Sequence, residues 1–398
     1  MIFWLYDFLL FFVAIASSLR KRHHLSRFFP SPPDAMGKRS VWIHAVSVGE
    51  VKAFRPLYPH LCALYPDAFF LLTCVTRTGL EEARRSFPTL HCTYLPWDFR
   101  FSMRRWARAL RPLLLLFVEG DLWPNLLGSV KEAGGKIALV NAKLSLRSFS
   151  RLSRYHRLAS SHLFSSLDLV CAKSEEHRVR FSRFIHNAPL HATGNLKWAE
   201  RPAPTGSLPF TLPECPILTL ASTHAGEEEL LLDNLPLSSL FLILAPRHPE
   251  RFSSVADFLQ KRGLPFLRWT KPQLYDEKVR ILLLDTMGEL SHCFAASHLT
   301  LVCGSFVPNI GGHNLFEPCL YGSPVFFGPH AFSQQELAQE IISRGAGKEV
   351  HISALFSEVS AFLATPSLQD RAREGVSALV QSAQGVEGKT VAHLKCLQ

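Results

Sequence analysis

Ten short runs rich in branched and aromatic apolar residues recur along the 398-residue chain, with longer amphipathic stretches between them. The first series contains Val41–Ala45, Phe69–Val75, Leu113–Val118, Lys136–Val140 and Leu167–Ala172. The second contains Ile217–Ala221, Leu240–Ala245, Val279–Leu284, Leu299–Cys303 and Val325–Phe327. Strands this uniformly apolar are buried on both faces, as happens when helices cover both sides of a parallel sheet. The pattern predicts an α/β fold with two doubly wound domains.

A proline-rich stretch, residues 201–216, separates the two series. Proline restricts φ and lacks the backbone donor, so neither a helix nor a strand is expected there. We interpret this stretch as a linker between an N-terminal domain at 38–200 and a C-terminal domain at 217–375. Residues 376–398 are predicted to form a helix that packs back on the N-terminal domain. Ligands of such domains bind at the carboxyl ends of the strands, here predicted to face an interdomain cleft.

Residues 1–17 are apolar apart from Asp7, and Arg20, Lys21 and Arg22 follow them. A secretory signal carries its positive charge before the apolar run, so export is not expected. Basic flanks remain on the cytoplasmic side of a membrane, which predicts a cytoplasmic chain attached to the membrane surface. We interpret residues 1–22 as a membrane anchor. This anchor either spans the bilayer, at the short limit of about 25 Å, or lies in its interface.

Net charge, cysteine spacing and the absence of several sequence motifs disfavour a number of protein classes. Lys and Arg outnumber Asp and Glu by 43 to 33, a net charge of +10 that suits an anionic partner. The nine cysteines form no C-x-x-C pair, which disfavours a zinc ribbon or a disulfide framework and favours a reducing compartment. The chain also lacks the signatures of P-loop enzymes, Rossmann oxidoreductases, lipase-like hydrolases and zincins.

Two strand ends in the N-terminal half carry acidic residues. The first strand runs into a loop with Ser47 and Gly49, and Glu50 begins the next helix. A carboxylate there is well placed as a general base, although glutamate at a helix N-terminus also simply stabilises the helix dipole. Glu119 and Asp121 follow a second strand, where Asp121 is also explained as a capping acid before an early helical proline.

Two series of basic residues have helical spacing. Arg100, Arg104, Arg108 and Arg111 form one, and Lys143, Arg147, Arg151, Arg154 and Arg157 form the other. Each series would form one cationic helix face that is either solvated or in contact with lipid headgroups or phosphates. Nucleic acid is not a predicted partner, because stacking aromatics and a binding motif are lacking.

Four polar loops follow strands in the C-terminal half and predict a nucleotide site. They are Ser222–His224, Pro246–Arg251, Asp285–Leu290 and Gly304–Glu317. In the last loop a helix is predicted to begin near His313, after Gly311 and Gly312, so that its N-terminus holds a phosphate. Asn314 and Glu317 would share one helix face and bind ribose hydroxyls. Arg247 and His248 would neutralise a phosphate leaving group.

These residues resemble the Kdo transferases, which attach 3-deoxy-D-manno-octulosonic acid (Kdo) to lipid A precursors. The matching segments are collinear between residues 40 and 345. They are VWIHAVSVGE (41–50), VEGDLWPN (118–125), NAKLSLRS (141–148), GNLKWA (194–199), ASTHAGEEE (221–229), APRHPERF (245–252), DTMGEL (285–290), GGHNLFEP (311–318) and GPH (328–330).

The resemblance implies a GT-B glycosyltransferase of two Rossmann-like domains, with the acceptor on the N-terminal domain and the donor on the C-terminal one. It also implies an N-terminal membrane anchor at the cytoplasmic face of the inner membrane. It implies CMP-Kdo as donor, a lipid A precursor as acceptor, and Glu50 as the base. The implied acceptor-binding or supporting residues are Ser47, Gly49, Lys52, Arg55, Glu119, Asp121, Lys143 and Arg147. The implied donor-binding residues are Ser222, Arg247, His248, Met287, Gly288, Glu289, Gly312, Asn314 and Glu317. No metal or other cofactor is predicted, and no D-x-D motif is present.

The chain departs from the family pattern at three places. Asp121 stands where the family usually has a second Glu, and Trp198 and Ala199 stand where it usually has Phe-Asp. The segment after the GPH motif reads Phe332-Ser333-Gln334-Gln335 where the family usually has Asn-Phe.

The chosen hypothesis is an inverting Kdo transfer. Two alternatives stay open: another membrane-associated GT-B transferase that uses a UDP-sugar, and a non-catalytic protein that binds nucleotide sugars or anionic lipids.

Overall fold

A computed structural model describes residues 2–20, 27–198, 213–271 and 279–398. The chain divides into two compact units, the first comprising Met1–Glu200 with Ala383–Gln398 and the second comprising Arg201–Ser382. Each unit contains one seven-stranded sheet in which all the strand pairs are parallel. Most of the predicted linker at 201–216 lies outside the described residues.

The sheet of the first unit has the order β3-β2-β1-β4-β5-β6-β7. Its strands are β1 (Ser40–His44), β2 (Phe69–Cys74), β3 (His91–Tyr94), β4 (Pro112–Val118), β5 (Lys136–Ala142), β6 (Leu169–Ala172) and β7 (Leu190–Ala192). The chain starts at the central strand β1, builds one side of the sheet through β3, and returns to β4 beside β1. The loops after β1 and β4 therefore diverge, which opens a crevice at their carboxyl ends.

Helices cover both faces of this first sheet. The helices of the first unit are α1 (Ile2–Arg20), α2 (Val48–Phe54), α3 (Tyr58–Leu64), α4 (Arg77–Ser86), α5 (Arg100–Leu110), α6 (Pro124–Glu132), α7 (Leu146–Arg154), α8 (His156–Ala159), α9 (Glu175–Ser182) and the C-terminal α17 (Val386–Lys395). Alternate residues of the central strands enter two separate apolar clusters: Val41 and Ile43 pack on one side, and Trp42 packs on the other. Burial on both faces explains the unbroken apolar runs of these strands.

The sheet of the second unit has the order β10-β11-β9-β8-β12-β13-β14. Its strands are β8 (Ile217–Thr223), β9 (Phe241–Pro246), β10 (Phe266–Arg268), β11 (Ile281–Leu283), β12 (Leu299–Val302), β13 (Val325–Phe327) and β14 (Gly347–Glu349). Its helices are α10 (Glu227–Leu232), α11 (Phe252–Lys261), α12 (Leu290–Ala296), α13 (Phe316–Leu320), α14 (Gln335–Ser343), α15 (Ile352–Ala364) and α16 (Pro366–Ser382). The two sides of this sheet diverge at β8 and β12.

Each of the ten predicted strands corresponds to a strand of the structure, and the α/β prediction is confirmed. The sequence patterns missed β3, β7, β10 and β14, which are the outermost strands of the two sheets. These edge strands are only three or four residues long. They are also partly exposed, so they lack the uninterrupted apolar run by which the central strands are recognised.

The N-terminal segment forms helix α1. Leu10 and Ala14 on one side of this helix pack against Trp97 and Phe99 of the first unit. Its other side exposes large apolar residues, namely Phe8, Leu9, Phe11, Phe12, Val13 and Ile15. None of the helices in the described part of the chain combines the length and apolarity needed to cross a bilayer. The described residues therefore give no support to a membrane-spanning anchor.

The C-terminal residues are shared between the two units. Helix α16 remains with the second unit as far as Ser382, whereas the predicted domain boundary lay at 375. Helix α17 belongs to the first unit, where Val386, Val391 and Leu394 join the apolar cluster on one face of the sheet. Val386 also packs on Gly194, where a Cβ atom would lie only 2.5 Å from its Cγ2.

Neither basic series forms one continuous free cationic face. Arg104 makes two hydrogen bonds to Glu132, of 2.8 and 2.7 Å, and Arg100 lies 3.9 Å from the same carboxylate. Arg111 follows the end of α5 in a left-handed conformation. In the second series the helix ends at Arg154, so Arg157 lies on the separate helix α8.

The packing of α16 predicts different effects for two glycine substitutions. A Cβ atom on Gly375 would lie 2.4 Å from the carbonyl oxygen of Arg344, whereas one on Gly388 of α17 meets nothing within 4 Å. Gly375→Ala should therefore lower the free energy of unfolding by about 1–3 kcal/mol. Gly388→Ala should leave it unchanged or raise it by up to about 1 kcal/mol. Urea unfolding of the two variants measures this difference, and equal midpoints would contradict the packing of α16.

Candidate functional site

The first candidate site lies at the carboxyl ends of β1 and β4. The loop after β1 leads through Ser47 into α2, and Glu50 lies in the first turn of that helix. The loop after β4 carries Glu119 and Asp121 and leads through Trp123 to Pro124, the first residue of α6. The two acidic segments, far apart in sequence, are thus brought together by the parallel pairing of their strands.

The Glu50 carboxylate is held by its own loop. Oε2 accepts a hydrogen bond of 2.6 Å from the backbone N–H of Val46, and Oε1 accepts one of 3.0 Å from the Ser47 hydroxyl. Only 9% of the Glu50 side chain surface is exposed. Burial raises the pKa of Glu50 to about 7, and the negative charges of Glu119 and Asp121 act in the same direction against the two hydrogen bonds. The carboxyl group is consequently poised to exchange a proton near neutrality.

Glu119 occupies a strained position beside Glu50. Its φ of 70° is in the left-handed region, as is the φ of 51° at Asn141 near the end of the neighbouring strand. The Glu119 carboxylate forms an ion pair with Lys197 and accepts a hydrogen bond of 3.3 Å from the Asn141 side chain. The Asn141 amide oxygen in turn accepts from the Leu196 N–H at 3.0 Å.

Lys197 and Asn141 were missing from the predicted site residues, although both lie in segments that carry the family resemblance. Gly49 explains how Lys197 reaches the site, since a Cβ atom at Gly49 would lie 3.2 Å from the lysine Nζ. The glycine thus leaves room for a cation beside the carboxylates.

Asp121 does not cap helix α6, so the capping alternative for this residue is wrong. The backbone N–H groups of Asn125 and Leu126 instead donate to Asp98, at 3.0 and 2.8 Å. Asp121 lines the site, where partial burial of its carboxyl group, with the charge of Glu119, raises its pKa.

A cavity of about 690 Å³ opens beside these carboxylates. Its wall combines acidic, basic and aromatic groups. The charged members are Glu50, Glu119, Asp121, Lys143 and Arg151, and the aromatic members are Tyr6, Trp123, Phe164 and Phe181. Such a wall suits a ligand with anionic, hydroxyl and apolar parts. Lys143 is the basic residue of this wall that was predicted on the acceptor side, whereas Arg151 and Tyr6 were not among the predicted site residues.

Five of the predicted acceptor-side residues do not line this cavity. Ser47 donates a hydrogen bond to Glu50, and Gly49 leaves room for the Lys197 side chain. Arg55 lies near Glu82 of α4, with 3.6 Å between the charged groups, which ties α2 to α4. Lys52 and Arg147 are exposed to solvent.

The Trp123 side chain in the cavity wall is held by His44, the last residue of the central strand β1. Its indole N–H donates to Nε2 of His44 at 3.1 Å, and the other ring nitrogen of His44 lies 3.1 Å from the carbonyl oxygen of Thr73. Complete burial lowers the pKa of His44 to about 3, so the imidazole is neutral and can accept on one nitrogen while donating from the other.

The second candidate site lies where β8 and β12 diverge in the second unit. Glu227 joins the loops after these two strands, because its carboxylate accepts from the N–H groups of His224 at 2.9 Å and Gly304 at 2.7 Å. Arg251 makes a two-pronged contact with Glu228, at 2.7 and 2.9 Å. These two glutamates therefore hold the loops together at the sheet edge.

Two histidines meet within this second site. The Nε2 atoms of His224 and His313 lie 2.7 Å apart, so the N–H of one ring donates a hydrogen bond to the unprotonated Nε2 of the other. Burial, together with the nearby charges of Arg247 and the other histidines, lowers the pKa of His313 to about 4. His248 lies next to the pair, with 5.4 Å between its ring and that of His224. Neither His224 nor His313 was predicted as a site residue, because their contact joins loops 89 positions apart.

The glycine loop differs from its sequence-based description. Helix α13 begins at Phe316 rather than near His313 and has only five residues. Asn314 precedes this helix, and its side-chain oxygen accepts a 3.1 Å hydrogen bond from the Phe316 N–H. Asn314 and Glu317 therefore do not share a helix face. Gly312 permits close packing, since a Cβ atom there would lie 3.1 Å from Ala331.

The remaining predicted donor residues lie at neighbouring strand ends. Ser222 has a left-handed φ of 63° at an irregular position of β8. Met287 is exposed, Gly288 has a φ of 97°, and the Glu289 carboxylate lies 3.0 Å from the His292 ring. Arg247 and His248 are exposed after β9. Within the described ranges, no group of three or more His, Cys, Asp or Glu side chains is arranged to hold a metal ion.

Comparison with known proteins assigns the family. A family model described as 3-deoxy-D-manno-octulosonic-acid transferase (kdotransferase) matches residues 18–200. The 3-deoxy-D-manno-octulosonic acid transferase of Haemophilus influenzae is 32% identical over 88% of this chain and 81% of its own. The enzyme of the same name from Bordetella pertussis is 34% identical over 77% and 75% of the two chains. The chain belongs to the Kdo transferase family. It is therefore a glycosyltransferase, as its motifs predicted.

The fold of this transferase is shared with distant structures. MurG from Acinetobacter baumannii superimposes with a TM-score of 0.57, at 12% identity and over 89% of this chain and 99% of that one. UDP-GlcNAc 2-epimerase from Neisseria meningitidis gives a TM-score of 0.55, at 13% identity and over 86% and 99%. At these identities the similarity concerns the GT-B-like pair of parallel α/β domains.

The raised pKa of Glu50 predicts a pH-dependent cost to stability. Because the folded-state pKa of about 7 exceeds the ordinary glutamate value of 4.5, which applies in the unfolded chain, the native state loses stability as the pH rises between these values. Glu50→Gln removes this cost and should stabilise the protein relative to the wild type by up to about 3 kcal/mol more at pH 8 than at pH 4.5. Urea unfolding at both pH values measures the difference. Glu374→Gln, at an exposed glutamate, is the control, and equal behaviour of the two variants would contradict the burial of Glu50.

Proposed function

We propose that this transferase moves Kdo from CMP-Kdo to a lipid A precursor with inversion at the anomeric carbon, and that Glu50 is the general base. The observation that carries the proposal is a buried carboxyl group with a pKa of about 7 in the wall of a cavity, within a Kdo transferase. At neutral pH about half of such a carboxyl group is ionised and can accept a proton, and it binds that proton more tightly than an ordinary glutamate does.

The reaction proceeds as a single displacement. The acceptor hydroxyl oxygen attacks the anomeric carbon of Kdo while Glu50 takes the hydroxyl proton. The bond from that carbon to the phosphate oxygen breaks, and CMP leaves with the electron pair. Val46 and Ser47 fix the orientation of the carboxylate through their hydrogen bonds. Lys197 offsets the charge of Glu119, so that a deprotonated Glu50 does not face an uncompensated anion.

The loops of the second unit are proposed to bind the nucleotide donor. Arg247 supplies a cationic side chain, and the adjacent histidines offer ring N–H donors to a phosphate or carboxylate. Met287, Gly288 and Glu289 belong to the neighbouring loop, whose glycine permits close approach of a ligand to the backbone.

Loss of the base is the first test of this proposal. Glu50→Gln should lower turnover of CMP-Kdo and lipid A precursor by at least about 100-fold, because a general base contributes roughly 10²–10⁴-fold. The acid limb of the wild-type profile of kcat/KM should lie near pH 7 and disappear in the variant. Mass spectrometry follows the product, and calorimetry should show unchanged CMP binding. Wild-type turnover in Glu50→Gln, with Glu374→Gln as the control, would remove Glu50 from the mechanism.

Nucleotide binding tests the donor assignment and separates it from the UDP-sugar alternative. Asn314→Ala and Glu317→Ala should each weaken CMP binding by about 5- to 100-fold, because each side chain is proposed to bind a ribose hydroxyl and the variant loses that hydrogen bond. CMP should raise the melting temperature of the wild type, and UDP should not. Equal stabilisation by UDP would favour the UDP-sugar alternative. Unchanged CMP affinity in both variants would show that Asn314 and Glu317 do not belong to the donor site.

We further propose that α1 attaches the protein to the cytoplasmic face of the inner membrane by lying in the interface. The exposed apolar face of α1 supports insertion, and Arg147, Arg151, Arg154 and Arg157 provide cationic groups for anionic headgroups. Arg100 and Arg104 contribute less to this attraction, because Glu132 already pairs with them.

Truncation separates the two contributions to membrane attachment. Deleting residues 1–17 should weaken sedimentation with anionic vesicles and make the remaining binding sensitive to salt, because only screened electrostatic attraction is left. Co-sedimentation at low and high ionic strength measures both effects. Binding that is salt-independent, or that vanishes at both ionic strengths, would contradict a membrane role for the basic residues.

A further inference from the structure

Helix α1 carries two polar side chains that membrane attachment does not require. Tyr6 and Asp7 lie in its first two turns, within an otherwise apolar segment. The Tyr6 hydroxyl donates to Oδ2 of Asp98 at 3.1 Å, and the Asn125 side-chain N–H₂ donates to Oδ1 of Asp7 at 2.7 Å. Both partners belong to the body of the first unit, 92 and 118 positions along the chain.

Asp98 connects this contact to the start of helix α6. It is fully buried, and burial raises the pKa of its carboxyl group to about 7. Its two oxygens accept the N–H groups of Asn125 and Leu126, so one carboxylate caps α6 and also holds the hydroxyl of Tyr6. The amide of Asn125 reaches back to the backbone oxygen of Asp98 at 2.5 Å, which closes the network.

The N-terminus of helix α6 lies in the wall of the cavity. Residues 119–124, which precede Asn125 directly, line the cavity together with Tyr6 itself. A shift of the α6 N-terminus would therefore move Glu119, Asp121 and Trp123 relative to Glu50. Misplacement of such groups by about 1 Å is enough to cost roughly 100-fold in rate.

We propose that α1 is a structural part of the acceptor site, in which Tyr6 forms one wall and positions the loop of Glu119 and Asp121 through Asp98. The inference rests on the proposed function for the nature of the acceptor, but its structural part does not. The same helix exposes Phe8 and Leu9 next to Tyr6. The segment that touches lipid thus leads directly to the cavity that receives the lipid-linked acceptor. Tyr6 is a positioning residue here, distinct from the proposed base.

The test separates positioning from attachment with two variants of the same helix. Tyr6→Phe keeps the ring and removes the hydrogen bond to Asp98, whereas Leu9→Ala reduces only the exposed apolar face. Tyr6→Phe should lower kcat/KM for the acceptor about tenfold, with acceptor in vesicles and with acceptor dispersed in detergent. Its vesicle sedimentation and CMP affinity should match the wild type. Leu9→Ala should reduce vesicle sedimentation and leave turnover in detergent unchanged.

A second measurement does not depend on activity. Hydrogen exchange of the Asn125 and Leu126 amides should be several-fold faster in Tyr6→Phe and unchanged in Leu9→Ala, because these amides bond to Asp98. Unchanged exchange together with unchanged turnover in Tyr6→Phe would overturn the inference. If the wild type fails to use CMP-Kdo, the proposed function fails, and the exchange rates still decide whether α1 positions α6.

Discussion

Parallel pairing of one central strand with neighbours on both sides is the constraint on which both sites depend. In the first unit β1 pairs with β2 and with β4, and in the second β8 pairs with β9 and with β12. The chain must leave the central strand on one side and return on the other, so the loops diverge at the carboxyl ends. Glu50 and Glu119 occupy that position in one sheet, and His224 and His313 occupy it in the other.

Local backbone irregularities direct side chains into these crevices. Glu119, Asn141 and Ser222 all have positive φ values, and Asn141 and Ser222 also lie at shifts of strand register. Such conformations cost of order 1–3 kcal/mol for residues other than glycine and persist where the surrounding contacts hold them. For Glu119 and Asn141 the holding contacts are the ion pair to Lys197 and the hydrogen bond to Leu196. The left-handed backbone at Glu119, its ion pair with Lys197 and its contribution to the raised pKa of Glu50 therefore all belong to one arrangement at the end of β4.

The cavity beside Glu50 is also lined by Tyr6, from a segment whose composition indicated only membrane attachment. Asp7 interrupts an apolar run, and the sequence offered no reason for it. Its partner Asn125 lies beside the carboxylate that caps α6, so the polar side chains of α1 help to hold this helix on the first unit. Helix α1 thus turns its polar side chains and two of its apolar ones towards the first unit and exposes its remaining large apolar residues.

The sequence by itself determined the ten central strands, the α/β class, the family and the position of Glu50 after β1, because continuous apolar runs and local motifs record burial and chain order. Tertiary structure alone decided the four edge strands, since short half-exposed segments leave no periodic signal. It also decided that Asp98 rather than Asp121 caps α6, that Lys197 pairs with Glu119, and that His224 meets His313. Each of these contacts joins residues well separated in sequence, and side-chain pairing at such separation follows from how the strands and loops are placed in space.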